Sequence, residues 1–220
     1  MKLVQTADGS STIFNPEIGE HYHSTHGALQ ESKHVFLKSG LEYFLALHPQ
    51  KSVSILEVGF GTGLNYLVTA DYCEQNSIQL NYIGIERFPL NKEIIIQTKN
   101  TDYLPPKIAT GFLENYEQAS KSSITIGSGK LLIAVCDVKD YQSDTQVDII
   151  YFDAFAAAHQ PEMWTQETLA HVSDFLKVGG VFVTYAITGN LKRSMKSLGF
   201  SIEKVPGALG KREMLRAIKS

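Results

Sequence analysis

No stretch of this 220-residue sequence is long and apolar enough to span a bilayer, and the opening MKLVQTADGS has no apolar core of the kind that directs secretion. Both absences lead to the expectation of a cytoplasmic protein. Cysteine is scarce. Cys73 and Cys136 stand far apart and belong to no CxxC pair, so a disulfide framework is excluded and both read as packed, reduced thiols. There is no internal repeat and no low-complexity tract. Strong charge of one sign is also missing, since the formal net charge is -3, which argues against a general polyanion binder.

What is present is a globular balance, with 43% hydrophobic and 20% charged residues. The length suits one domain with a core large enough for a six- or seven-stranded sheet. The charge is unevenly placed. From Leu191 to Ser220 the chain carries eight basic residues (Lys192, Arg193, Lys196, Lys204, Lys211, Arg212, Arg216 and Lys219) against Glu203 and Glu213, a net +6, while the rest carries -9. A basic segment on an acidic body points to an anionic partner or to an ordinary solvated face.

The order of elements is an alternation of strands and helices. An apolar, helix-like stretch from about Ser32 to Leu47 closes at His48-Pro49. Val53–Val58 is a strand, followed by a glycine turn and a helix from about Gly63 to Gln75. Leu80–Glu86 is a second strand, and Pro89 is placed to open a helix running to about Asn100. Pro105-Pro106 breaks the chain ahead of an insertion that contains Gly111–Ala119, and a hairpin follows around Gly127-Ser128-Gly129. Val147–Asp153 is a strand. A helix from about Pro161 to Leu176 is expected to end at Val178-Gly179-Gly180, with a strand at Val181–Ala186 after it. Leu191–Leu198 is a short basic helix, and Ser201–Val205 and Glu213–Ile218 read as two edge strands.

Such alternation implies a mostly parallel sheet wound on both faces, an α/β Rossmann-like fold. No helix separates the last two strands, so they are expected to form an antiparallel hairpin, which a plain nucleotide-binding sheet lacks. The expectation is one domain over residues 1–220, with residues 1–50 covering a ligand site built on a core of residues 51–220.

Glu57-Val58-Gly59-Phe60-Gly61-Thr62-Gly63 links a strand to a helix. Ligands in open α/β sheets bind beyond the carboxyl ends of the strands. Glycines there admit close backbone approach, and free N–H groups at a helix start favour an anionic group. The order is GxGxG. Leu64 stands where the dinucleotide fingerprint needs glycine, and no Gly-Lys-Ser/Thr run marks a P-loop. Glu86 ends the second strand, where a carboxylate can take both hydroxyls of a ribose. Asp137 follows the third, within reach of an adenine amino group. Together they suit an adenosine-bearing cofactor.

DIIYFD delivers Asp153 to the same sheet edge, and the loop from Ala154 to Trp164 follows it with small and aromatic residues. Phe155 and Trp164 can stack a flat base, although Trp164 suits a core anchor equally well. His21, His23 and His26 invite a metal reading, but their spacing lacks a partner cluster and no metal is expected.

GFGTGLN (Gly59–Asn65), IERFPL (Ile85–Leu90), DAFAAAHQPEMWT (Asp153–Thr165), GKREML (Gly210–Leu215) and YHSTHGALQESKHVFL (Tyr22–Leu37) resemble one family, in order, across nearly the whole chain. It is the methyltransferase half of the bacterial bifunctional MnmC enzyme and its stand-alone form, MnmD. The resemblance implies S-adenosylmethionine as cofactor, S-adenosylhomocysteine as product, and methylation of the amine of 5-aminomethyl-2-thiouridine at the tRNA wobble position. It implies that the turn glycines Gly59, Gly61 and Gly63, with Glu57 and Asn65, hold the methionine part of the cofactor. Glu86 and Arg87 would serve the ribose end and Asp137 the adenine. Tyr22, Ser24, Gly27 and Glu31 would lie over the cofactor. Asp153 would face the substrate amine beside Phe155, with Lys192, Arg193, Lys211 and Arg212 toward the RNA. Ala157 and His159 depart from the family's loop, which has proline and lysine there. With no oxidase half in this sequence, no flavin is expected, and another enzyme would supply the aminomethyl precursor. With an ordinary carboxyl pKa of about 4, Asp153 is expected to orient the amine rather than take its proton. The competing readings are an aminopropyl transferase or small-amine methyltransferase on the same fold, and a binding module without chemistry.

Overall fold

The computed structural model describes residues 1–220. The N-terminal residues form a small antiparallel sheet of β1 (Lys2–Gln5), β2 (Ser11–Asn15) and β3 (Glu20–His21). A helix follows in three registers, namely α1 (Ala28–Glu31), a π-helical stretch Ser32–Glu42, and α2 (Tyr43–Leu47). It starts four residues earlier than the apolar pattern indicates. At the end of the stretch Tyr43 N donates to the Lys38 carbonyl five residues back, the spacing of a π turn. The helix lies close on the sheet through Gly40, where a Cβ would stand 2.9 Å from the Tyr151 ring.

The core continues with β4 (Ser52–Val58), α3 (Leu64–Gln75), β5 (Gln79–Ile85), α4 (Lys92–Thr98), α5 (Pro106–Ala119), β6 (Ile124–Ile126), β7 (Gly129–Ala134), β8 (Val147–Phe152), α6 (Gln166–Asp174), β9 (Leu176–Thr184), α7 (Gly189–Ser197), β10 (Phe200–Pro206) and β11 (Glu213–Lys219). The large sheet runs β10-β11-β9-β8-β4-β5-β7-β6. Its central pairs β9·β8, β8·β4, β4·β5 and β5·β7 are parallel, and β11 is antiparallel to both neighbours. Seven strands make the expected frame. The eighth is β6, the first arm of the hairpin read around Gly127-Ser128-Gly129.

Period-two alternation splits the core into two layers. Ile55, Tyr82, Ile133 and Tyr151 face the N-terminal helix, α3 and α5 on one side. Leu56, Val58, Ile150, Phe152 and Phe182 face α6 and α7 on the other.

Five expectations need correction. The helix after β5 begins not at Pro89 but at Lys92, capped by the Asn91 side chain, which accepts from Ile94 N. The insertion after Pro105-Pro106 is the 14-residue helix α5, because Pro106 takes the first helical position, where its missing N–H costs nothing. The helix expected over Pro161–Leu176 is shorter: a 3-10 turn holds Pro161–Trp164 and α6 ends at Asp174. Gly179-Gly180 does not end it but lies inside β9, where Gly179 at φ +77 accompanies the register shift between Val147 and Ile149. Of the last two strands only β10 is an edge, since β11 inserts between it and β9.

Candidate active site

Every parallel strand of the large sheet ends on one side, and a cleft of about 460 Å³ opens there. That volume is ordinary for a small-molecule site. The turn after β4 forms its floor. Gly59 and Gly61 have φ of +88 and +51. A Cβ on Gly59 would stand 2.4 Å from the Asp153 carbonyl oxygen, and one on Gly61 would stand 2.9 Å from the Tyr22 ring. Only glycine leaves this cradle open. Thr62, in the same turn, is propped from below. Its hydroxyl lies 3.0 Å from His23 Nε2 and accepts from Asn100 Nδ2 at 3.3 Å. Burial pushes the His23 pKa down, so its imidazole stays neutral.

At one end of the cleft, Glu86 Oε2 accepts from Gly61 N and Oε1 from Phe88 N, both at 3.0 Å. Each oxygen keeps a lone pair for a further donor. Asp137 caps the short turn after β7 by accepting from Lys139 N, and its other oxygen receives Arg87 at 2.9 Å. Phe88 stands open on the rim beside them.

At the other end lies a pair of carboxyl groups joined by an amide. Asn65 Nδ2 donates to Glu57 Oε1 at 2.7 Å and to Asp153 Oδ2 at 2.8 Å, and Ser32 Oγ fixes the amide by donating to Asn65 Oδ1. Tyr82 donates to the second Glu57 oxygen. Burial, with Asp153 nearby, holds the Glu57 carboxyl well above the usual carboxylate range. Burial and the neighbouring Glu31 push Asp153 up to about 8. This overturns the expectation of an ordinary aspartate, because sequence carries neither the depth of the site nor the second and third acids around it.

The walls come from distant segments. Phe155 meets the Tyr22 ring edge-on at 5.1 Å. Glu20 accepts from Ala156 N, and His159 Nδ1 donates to the Ile18 carbonyl at 3.0 Å, so the loop after β8 is tied to the N-terminal sheet. Across the cleft, Tyr185 donates to the Ala154 carbonyl.

Of the residues expected at the site, Tyr22, Ser24, Glu31, Gly59 and Gly61 line the cleft, as do Glu86, Arg87, Asp137, Asp153 and Phe155. Glu57 and Asn65 lie beneath it, joined to Asp153 as described. Two glycines lie off it. Gly63 is the left-handed N-cap of α3, packed on Phe60 and Phe112, and Gly27 faces Asp8. Trp164 is an anchor rather than a wall, donating to the Phe155 carbonyl and packing on Phe152. Among the basic residues Arg193 and Arg212 are exposed and Lys192 is half-buried. Lys211 instead turns into the cleft, bonded to Glu31 at 2.7 Å. Arg216 and Lys219 are engaged with Glu203 and with backbone carbonyls, so the count of positive charge overstates what is free. His21, His23 and His26 do not converge. His21 packs on Phe14 and His26 covers Gly210. Tyr185 and Glu20 escaped the sequence reading, and His23 was weighed there only as a metal ligand and not as the prop of Thr62. Tyr185 follows the last residue of β9, so the strand-end rule applied to a fifth strand would have found it.

The profile of a family described as S-adenosyl-L-methionine-dependent methyltransferase matches residues 102–220, just over half the chain. The tRNA 5-methylaminomethyl-2-thiouridine biosynthesis bifunctional protein MnmC of Leptospira interrogans is 32% identical over 219 residues, covering 93% of this chain and 33% of its own. That of Idiomarina loihiensis is 31% identical, covering 88% of this chain and 34% of its own. The chain thus spans about a third of the length of these curated relatives. The crystal structure of MNMC2 from Aquifex aeolicus superposes with a TM-score of 0.81 at 25% identity, over 99% of this chain and 70% of that one.

Proposed function

The chain belongs to the S-adenosyl-L-methionine-dependent methyltransferases, and from that premise we propose that it methylates the amine of 5-aminomethyl-2-thiouridine at the tRNA wobble position, giving 5-methylaminomethyl-2-thiouridine. The observation that carries this reading is one cleft with a glycine cradle and two acids at one end, and a buried acid among aromatic rings at the other.

The residues fit the cofactor. The turn at Gly59 and Gly61 runs so close to the Asp153 backbone and the Tyr22 ring that neither position admits a side chain, which keeps bare backbone along the cleft floor. Glu86 has lone pairs to receive two ribose hydroxyls, and Asp137 has one for the adenine amino group. When bound, S-adenosylmethionine supplies a sulfonium methyl group open to attack by an amine.

The chain's part is to hold the acceptor in line and to free its lone pair. An alkyl ammonium has a pKa of about 10, so the acceptor arrives protonated. Asp153 accepts one N–H of the ammonium. That N–H bond breaks, the proton stays on the Asp153 carboxylate, and the nitrogen lone pair is released toward the methyl group. Against an ordinary aspartate the transfer runs uphill by about six pKa units, roughly 8 kcal/mol. Against Asp153 at about 8 the gap is about two units, roughly 3 kcal/mol. Burial thus makes the ionised form of Asp153, the minority form below pH 8, a usable proton acceptor. Phe155 and Tyr22 present ring edges and faces to a flat base. Arg193 and Arg212, with Lys192 beside them, face outward to contact the tRNA backbone. The reaction is placed in the cytoplasm, after an enzyme that leaves the aminomethyl group.

The test uses purified protein, S-adenosylmethionine and tRNA bearing 5-aminomethyl-2-thiouridine, with the digested wobble nucleoside weighed by mass spectrometry. A gain of one methyl group is expected. No gain, with cofactor binding established by calorimetry, would overturn the tRNA reading and turn attention to small amines.

A further inference from the structure

Lys211 sits in the turn between β10 and β11, and that turn is closed down on the N-terminal helix. His34 Nε2 donates to the Pro206 carbonyl at 2.8 Å, and Leu209 N donates to the Gln30 side chain at 3.3 Å. The His26 ring covers Gly210 so closely that a Cβ there would stand 2.4 Å from it. The docking delivers the Lys211 ammonium into the cleft. Nζ donates to Glu31 Oε1 at 2.7 Å and stands 3.7 Å from the centre of the Tyr185 ring. Glu31 is itself fixed, because its other oxygen accepts from Ser24 N at 2.8 Å. Only a third of the Lys211 side chain is exposed. A lysine held in this way has little reach toward a phosphate outside the cleft.

We propose that Lys211 is a positioning residue of the methyl-transfer site, a fixed ammonium that with Glu31 sets the charge around Asp153 so that Asp153 takes the acceptor's proton. This rests on the reading of Asp153 as proton acceptor. Glu20 of β3, Glu31 of α1, Lys211 of the hairpin turn and Tyr185 just past β9 line the same cleft as the Asp153 carboxyl, while Glu57 of β4 is joined to it through the Asn65 amide and holds Tyr82 of β5 on its other oxygen. Lys211 is the one cation among them. Glu31 and Glu20 raise the Asp153 pKa and Lys211 lowers it. Without Lys211 the carboxyl would hold its proton to higher pH, and fewer molecules would be ready to accept another.

Two opposed substitutions test this. Lys211→Met should move the Asp153 titration midpoint, read from the carboxyl signal of carbon-13-labelled aspartate in the cofactor-free protein, to higher pH. Glu31→Gln should move it to lower pH, and Lys211→Arg should leave it near the starting value. The acid limb of kcat/KM should follow in the same directions. A merely loosened loop would not shift the midpoint in two opposite directions. If Lys211→Met instead raises KM for tRNA and leaves both midpoint and acid limb in place, Lys211 is a nucleic-acid contact and the proposal is overturned. Asp153→Asn separates the underlying reading. If that variant keeps full activity, Asp153 accepts no proton, whatever the Lys211 variants do to its titration in the others.

Discussion

One strand carries two aspartates to opposite fates. Asp148 stands near the amino end of β8 and Asp153 just past its carboxyl end. Asp148 is buried, and Asp153 is half-buried in the lining of the cleft. Asp148 is matched by donors. Ser54 gives it an N–H at 2.8 Å and a hydroxyl at 2.7 Å, and Lys177 an ammonium at 2.7 Å. Asp153 has one side-chain donor, Asn65, shared with the Glu57 carboxyl, and two more acids, Glu31 and Glu20, lie near it. A buried acid with its donors supplied is structure. A buried acid short of donors among other acids keeps a labile proton. The two ends of β8 differ because strand ends in a parallel sheet differ: turns and helix starts gather at one of them.

The sharpest way to break this comparison is to neutralise each acid in turn. Asp153→Asn should lower kcat by about 10²–10⁴-fold, the usual worth of a proton acceptor, in single-turnover assays with cofactor binding retained. Full activity would make Asp153 another Asp148. Asp148→Ala should leave kcat near the starting value and cost about 1–3 kcal/mol of stability, the penalty for stranding buried donors, read by denaturant titration. An equal loss of activity would erase the division between the two ends.

A pH series sharpens it further. The folded-state pKa of Asp153, about 8, lies above the ordinary aspartate value of 3.8. Between these pH values the native state binds the proton that the unfolded chain releases, so wild-type stability falls as pH rises. Asparagine never ionises, so the Tm advantage of Asp153→Asn should be absent near pH 4, grow toward pH 8 and level off above it. The gain should be roughly 1–2 kcal/mol, below the full shift because the carboxyl opens on a wet cleft. A Tm difference independent of pH would contradict the raised pKa. Asp148→Asn should lose stability across the neutral range instead. The smallest expected effect is at the surface. Arg193→Glu or Arg212→Glu should weaken tRNA binding and flatten its salt dependence by about one counterion each, with cofactor affinity unchanged in calorimetry. An unchanged salt slope would move the docking face elsewhere.

The parallel core was legible because VSILEV and DIIYFD are apolar runs of strand length, which only a sheet buried on both faces requires. The helix α5 was legible too, in Ile108, Phe112 and Tyr116 at four-residue spacing, had Pro106 been read as a start rather than a break. The small N-terminal sheet was not, because β1 to β3 are only two to five residues long, too short for an alternation to show, and owe their pairing to one another. At the site, spacing places Gly59, Gly61, Glu86 and Asp153 at strand ends, since a strand fixes where its end falls. The inward turn of Lys211, the shared amide of Asn65 and the raised pKa of Asp153 depend on which distant segments meet, and no local pattern encodes that.

The bond between Glu31 and Lys211 joins residues 180 positions apart. During synthesis the roof of the cleft therefore waits for the turn after β10, and the large sheet waits longer, because β11 must enter between β9 and β10. Contacts of such separation form late and slowly. The cleft and the sheet beneath it are therefore completed together, once both arms of the β10–β11 hairpin have been made.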